Sequence, residues 1–152
     1  MTITTEDIKK LRELTNAGVM DCRKALEESN GNFEKAVEWL RAKGAAKAEK
    51  RAERVVSQGF IEAYLHGDGK IVSVVELLCE TDFVALTADF RKLAHELAMQ
   101  VAAMKPENNQ ELLKQPYIRN EKVTMGDLVN EMVGKTGEKI QVGRIVRMQI
   151  GE

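Results

Sequence analysis

The stretch "GFIEAYLHGDGKIVSVVELLCETDFVA", residues 59–85, decides the fold. Two strand-like runs, "GFIEAYLH" and "KIVSVVELLCE", flank Gly67-Asp68-Gly69, a turn sequence that predicts an antiparallel hairpin. The second run is nearly continuous in apolar residues, which predicts a central strand covered on both faces. It breaks at Glu80, Thr81 and Asp82, and the apolar pair Phe83-Val84 follows just before a helix. Thr87 is placed to cap that helix, whose stripe is Phe90, Leu93, Ala94, Leu97, Val101 and Met104, and Pro106 ends it. Residues 105–122 read as a polar crossing. A short helix, "TMGDLVNEMVGKTG", follows, with Thr124 and Asp127 at capping-box spacing. The closing "KIQVGRIVRMQIGE" alternates, with Ile140, Val142, Val146, Met148 and Ile150 on one side, and predicts a third strand with one buried face.

Working outward, the first 44 residues read as three short helices. "TTEDIKKLREL" carries Thr4 and Asp7 at capping spacing and Ile8, Leu11 and Leu14 on one face. "TNAG" breaks it, since Asn and Gly tolerate left-handed backbone. "VMDCRKALEES" ends at Asn30-Gly31, and Asn32 caps "FEKAVEWLRAK", with Phe33, Val37 and Leu40 inward and Gly44 as the stop. From Arg41 to Arg54 six cations face two carboxylates, a local charge of +4. With no broad apolar face there, residues 45–58 read as a partly helical, solvated, basic connector. The expected architecture is α+β: a three-helix head at 1–44, the connector at 45–58, and an α+β body at 59–152 with a three-stranded antiparallel sheet packed by helices.

Composition narrows the function classes. The 152 residues are 43% hydrophobic and 31% charged, with a formal net charge of -1, so any basic surface is local. The N-terminus lacks a signal peptide's apolar stretch, no run approaches a membrane helix, and two scattered cysteines make no disulfide framework. A cytoplasmic, membrane-free setting is expected. His66 and His95 sit in no motif, and with Cys22 and Cys79 they lack metal-ligand spacing. "GKTG" at 134–137 lacks phosphate-loop spacing. No acid, base or nucleophile cluster emerges, so catalysis by the chain, a cofactor and a metal are not expected.

Several residues remain two-sided at this level. Lys9 and Arg12 suit an ordinary wet helix face. Of Val19 and Met20, one can staple a helix entrance and the other can serve a partner surface. Phe83 either plugs the end of the following helix or stands at the rim as an exposed wedge, pushed out by Thr81-Asp82. The connector's cations suit a solvated helix better than RNA, because no aromatic is interleaved to stack on bases, and direct nucleic-acid binding is not expected.

The order of these features, through "IKKLRELTNAGVMDCRKALEESNGNFEKAVEWLRAKGAAKAEKRA", the opening stretch with its "TDFVA", and "GEKIQVGRIVRMQIGE", resembles the bacterial translation elongation factor Ts family. These factors exchange nucleotide on the GTPase elongation factor Tu. The resemblance implies a ubiquitin-associated-like head that docks on the partner's nucleotide-binding domain through the positions of Lys9, Arg12, Val19, Met20 and Arg23. It also implies that Thr81, Asp82, Phe83 and Val84 form the segment whose Phe wedges between helices of the GTPase, disturbing its phosphate loop and Mg²⁺ site so that GDP leaves. Asn16, Val19, Arg23 and Leu86 depart mildly from the family pattern. The second half of the body and the helical hairpin of longer members have no counterpart between Lys105 and Val123. A homodimer through the sheet, the arrangement ascribed to compact members, stays open. The alternatives are a peptide-binding head on an unrelated body, and RNA binding by the connector.

Overall fold

The computed structural model describes residues 2–152, with residue 48 described by its backbone alone. In chain order the elements are α1 (Thr5–Thr15), α2 (Val19–Glu28), α3 (Phe33–Lys50), β1 (Gln58–His66), β2 (Ile71–Cys79), α4 (Asp82–Ala85), α5 (Ala88–Met104), α6 (Asn109–Lys114), β3 (Pro116–Tyr117), β4 (Asn120–Thr124), α7 (Met125–Thr136) and β5 (Gln141–Gln149). They fall into two compact units. One runs to Ala52 and takes in Asn130–Glu138, and the other comprises Glu53–Val129 and Lys139–Glu152.

In the first unit, Thr4 and Asp7 close a reciprocal capping box at the start of α1, and Asn16 ends that helix in left-handed backbone at φ 54°. Asn32 accepts the Lys35 N–H at the entrance of α3. Each helix is short, so its stability comes from packing. Leu11, Cys22, Ala25, Leu26 and Ala36 form the buried cluster, with Ile8, Phe33, Val37 and Leu40 against it.

Gly44 does not stop α3, which continues to Lys50. The glycine is buried because the backbone of Asn130 passes there: a Cβ would lie 2.7 Å from the Asn130 carbonyl oxygen. Its lack of a side chain serves close approach. Nor is the basic run simply solvated. Lys43 and Lys47 both reach Asp21, and Arg41 lies 3.6 Å from Glu131. The Lys43 hydrogen bond leads in holding the Asp21 carboxyl below its ordinary value, with Lys47 adding to it.

In the second unit the strand order is β1-β2-β5, all antiparallel, with β2 central. One face of β2, with Ser73, Val75, Leu77 and Cys79, is fully buried, and α5 packs over the sheet with Phe90, Leu93, Ala94, Leu97 and Val101 buried. The other face of β2 is only half-buried, so its apolar run is not covered on both sides as the sequence suggests.

The alternation of β5 also changes face. Val142 pairs with Leu77 and is buried, but a bulge opposite Glu76 inserts a residue, so Ile145 pairs with Val75 and Val146 points away from α5, with Met148 next on that face. At Gly143 a Cβ would meet the Glu76 carboxylate where it now lies, so a larger residue there would displace that side chain. That carboxylate accepts the Arg144 backbone and guanidinium N–H groups.

The polar crossing contains α6, started by Asn108 accepting the Glu111 N–H and pinned by buried Leu112, and the small β3–β4 ladder. Fully buried Gln100 holds it, donating to Gln115 and the Pro116 carbonyl and accepting the Ile118 N–H. Thr124 and Asp127 form the expected reciprocal cap on α7.

Candidate partner-binding surfaces

At the end of β2 the chain turns from strand to helix within two residues, and the local chemistry fixes how. Thr81 adopts extended backbone and its hydroxyl accepts the Val84 N–H, so α4 starts at Asp82. Ala85 is buried beneath the turn and Val84 is half-buried. With those positions committed inward, Asp82 and Phe83 face out. The Phe83 side chain is 80% exposed. Leu86, three residues on and on the same helical face, is 67% exposed. An aromatic ring this open, beside a second apolar side chain, is an exposed apolar patch.

The base of this tip is anchored on both sides. The buried Cys79 thiol donates to the Thr81 carbonyl at 3.1 Å. Glu80 Oε1 accepts the Lys139 N–H at 2.7 Å, with Arg54 Nη1 at 3.4 Å. On the far side the Thr87 hydroxyl donates to the Val84 carbonyl and accepts the Phe90 N–H, joining α4 to α5.

In the helical unit, Gly18 is the N-cap of α2, which makes Val19 and Met20 its first two residues. A staple residue precedes the cap, so neither can fill that role; Ala17 occupies the position, half-buried against the core. Val19 is 49% exposed and Met20 72%. Lys9 and Arg12 are exposed on α1, and Arg23, one turn beyond Val19, is exposed and paired with Glu27 at 2.8 Å. Leu14, expected inward, is 71% exposed. Leu14 and Leu86 are exposed apolar residues that the sequence reading did not place at a surface. Leu86 stands one turn from Phe83, and Leu14 lies past the buried Leu11 in a stripe that ends sooner than its pattern suggests.

Elsewhere, both histidines have side-chain partners. His95 Nδ1 contacts Glu62 at 3.0 Å, and His66 contacts the Tyr64 hydroxyl. Among the described residues no group of three or more His, Cys, Asp or Glu side chains is arranged to hold a metal ion, and no helix is long and apolar enough to cross a membrane.

A model of the protein family described as Elongation factor TS matches residues 80–152, beginning at the Glu80 anchor. Curated relatives named Elongation factor Ts align along the chain. That of Moorella thermoacetica is 43% identical over 195 positions, covering 99% of this chain and 96% of the relative. The Nitratidesulfovibrio vulgaris protein is 42% identical, covering 99% and 98%. The Thermotoga maritima protein is 44% identical, covering 100% and 98%. These alignments are longer than the 152 residues of the chain, so the relatives carry residues that it lacks. Identity at this level along both units assigns the chain to the elongation factor Ts family.

Proposed function

We propose that this chain is a guanine nucleotide exchange factor for the translational GTPase elongation factor Tu, acting in the cytoplasm during polypeptide elongation. It adds no covalent chemistry of its own. The helical unit docks through Lys9, Arg12, Val19, Met20 and Arg23, while Phe83, carried by Thr81, Asp82 and Val84, enters near the phosphate and Mg²⁺ site and favours GDP release. The observation that carries this reading is the Phe83 ring, 80% exposed on an anchored helix tip.

The energetics require both surfaces. Exchange rests on binding the nucleotide-free GTPase better than its GDP form, and the coupling is reciprocal. A shift of about 10⁴-fold needs about 5.5 kcal/mol of differential binding. Burying one Phe supplies about 1.5–3 kcal/mol, so Phe83 works only together with a docked helical unit. Phe83→Ala is expected to slow GDP release more than it weakens docking, and Lys9→Ala with Arg23→Ala to do the reverse. Labelled-GDP release from elongation factor Tu, paired with binding titrations, tests this. Equal losses of both quantities in both variants would defeat the division of roles.

Two copies pair, in this reading, through the open face of the sheet. Ala63, Val74 and Val146 lie in one register row there and Leu65, Val72 and Met148 in the next. Leu65, Val146 and Met148 are exposed. RNA binding by the connector has less support, because Lys43, Lys47, Arg41 and Arg54 each have a carboxylate within 4 Å.

A further inference from the structure

We propose that Glu80 is the positioning residue of the Phe83 wedge: it fixes the direction in which the ring is presented and so governs the rate of GDP release without touching the GTPase. The inference rests on the exchange reading above. Glu80 is the last residue before the Thr81 cap, and its side chain is 22% exposed. One carboxylate oxygen, Oε1, accepts the Lys139 backbone N–H at 2.7 Å and lies 3.4 Å from Arg54 Nη1. Three separate chain segments therefore meet at this oxygen: the end of β2, the approach to β1 and the approach to β5.

The backbone of the same corner is held independently by the Cys79 thiol on the Thr81 carbonyl. Two tethers on adjacent residues leave a four-residue helix little freedom to rotate, although such a helix has almost no intrinsic stability. Rotation of α4 about its axis would swing Phe83; the burial of Ala85 and the Thr87 bonds oppose large rotations, and the Glu80 and Cys79 tethers limit the small ones. A wedge acts on its partner only within a narrow range of positions, and small misplacements of an acting group cost rate steeply. Loss of the Glu80 tether thus converts one presented conformer into several. The bound complex still forms through the helical unit, but the fraction poised to open the nucleotide site falls.

The test is GDP release from elongation factor Tu at rising concentrations of the 152-residue chain, which separates the saturating rate from the half-saturating concentration. Losing a hydrogen bond to a charged group predicts that Glu80→Ala lowers the saturating rate by about tenfold or more, with half-saturation moved by less than about twofold. Glu80→Gln keeps an acceptor for the Lys139 N–H and restores most of the rate. Arg54→Ala, at the exposed end of the contact, gives a smaller loss in the same direction and keeps the question answerable where the alanine variant folds poorly.

In a Phe83→Ala background, Glu80→Ala adds no further loss, because the two act through one element. An equal additional loss in that background, or a rise in half-saturation matching the fall in rate, overturns the positioning role. Normal release by Phe83→Ala alone defeats the wedge reading itself. Slow release by Phe83→Ala with normal release by Glu80→Ala defeats only the inference drawn here.

Discussion

Gly44 and Phe83 show how a single side chain, or its absence, answers to neighbours far away in the chain. An exposed mid-helix glycine costs about 1 kcal/mol relative to alanine, so propensity alone favours Gly44→Ala. Here the added Cβ would meet the Asn130 carbonyl oxygen at 2.7 Å and its carbon at 3.3 Å, both backbone atoms that cannot rotate aside. The clash reverses the sign, and Gly44→Ala is expected to destabilise the helical unit by about 1–3 kcal/mol. Chemical denaturation checks this, and a raised midpoint would remove the close-approach account. The sequence pattern reads the same glycine as a helix stop, since nothing local announces the passing of residue 130. Phe83 is similar. Thr81 and Asp82 mark the start of a helix, but which of the next residues faces the sheet is decided by the burial of Ala85 beneath them. The cap is legible in the sequence, and the direction of the ring is not.

Elements whose caps and stripes are local are legible, as α1, α2, α5 and α7 are through Thr4, Asn30-Gly31, Thr87 and Thr124. The face of β5 is not, because one inserted residue at Gly143-Arg144 reverses it. The β3–β4 ladder is also hidden, its apolar residues being few and its order supplied by α5. Its attachment is testable. The Tyr117 hydroxyl donates to Glu96, a carboxylate only 6% exposed that also pairs with Arg119 at 3.2 Å. Burial, then the Glu96 hydrogen bond, pushes the Tyr117 hydroxyl from 10.0 up to about 12. The folded state keeps this proton where the unfolded chain has lost it. The contribution to stability is therefore complete below pH 10 and is lost as pH rises towards about 12. Tyr117→Phe strips a donor from a buried carboxylate and should cost about 1–3 kcal/mol near neutrality. The gap between the parent and Tyr117→Phe should narrow from pH 10 to about 12 in denaturant melts. A constant gap would mean that the hydroxyl is not the attachment.

At the scale of the molecule, the proposed pairing of two copies rests on the open sheet face. Sheets bury one face against helices and tolerate water on the other when that face is polar. Here it carries Ile61 and Leu65 on β1 and Val146 and Met148 on β5, all exposed, on either side of the half-buried Val72 and Val74 of central β2. A second copy suits it, because a two-fold axis sets the same apolar rows against themselves and face-to-face sheets pack about 10 Å apart with side chains interleaved. The formal net charge of -1 offers almost no repulsion between copies. Light scattering at micromolar concentrations should then give twice the 17.0 kDa chain mass. Val74→Lys and Met148→Glu, made separately, each bury an unpaired charge in the pair and should return the protein to 17.0 kDa with unchanged circular dichroism. Combined, they set Lys and Glu on neighbouring strands, where the charges neutralise each other, and association should partly return. A parent chain already at 17.0 kDa under these conditions would leave the apolar face without a second copy as its occupant.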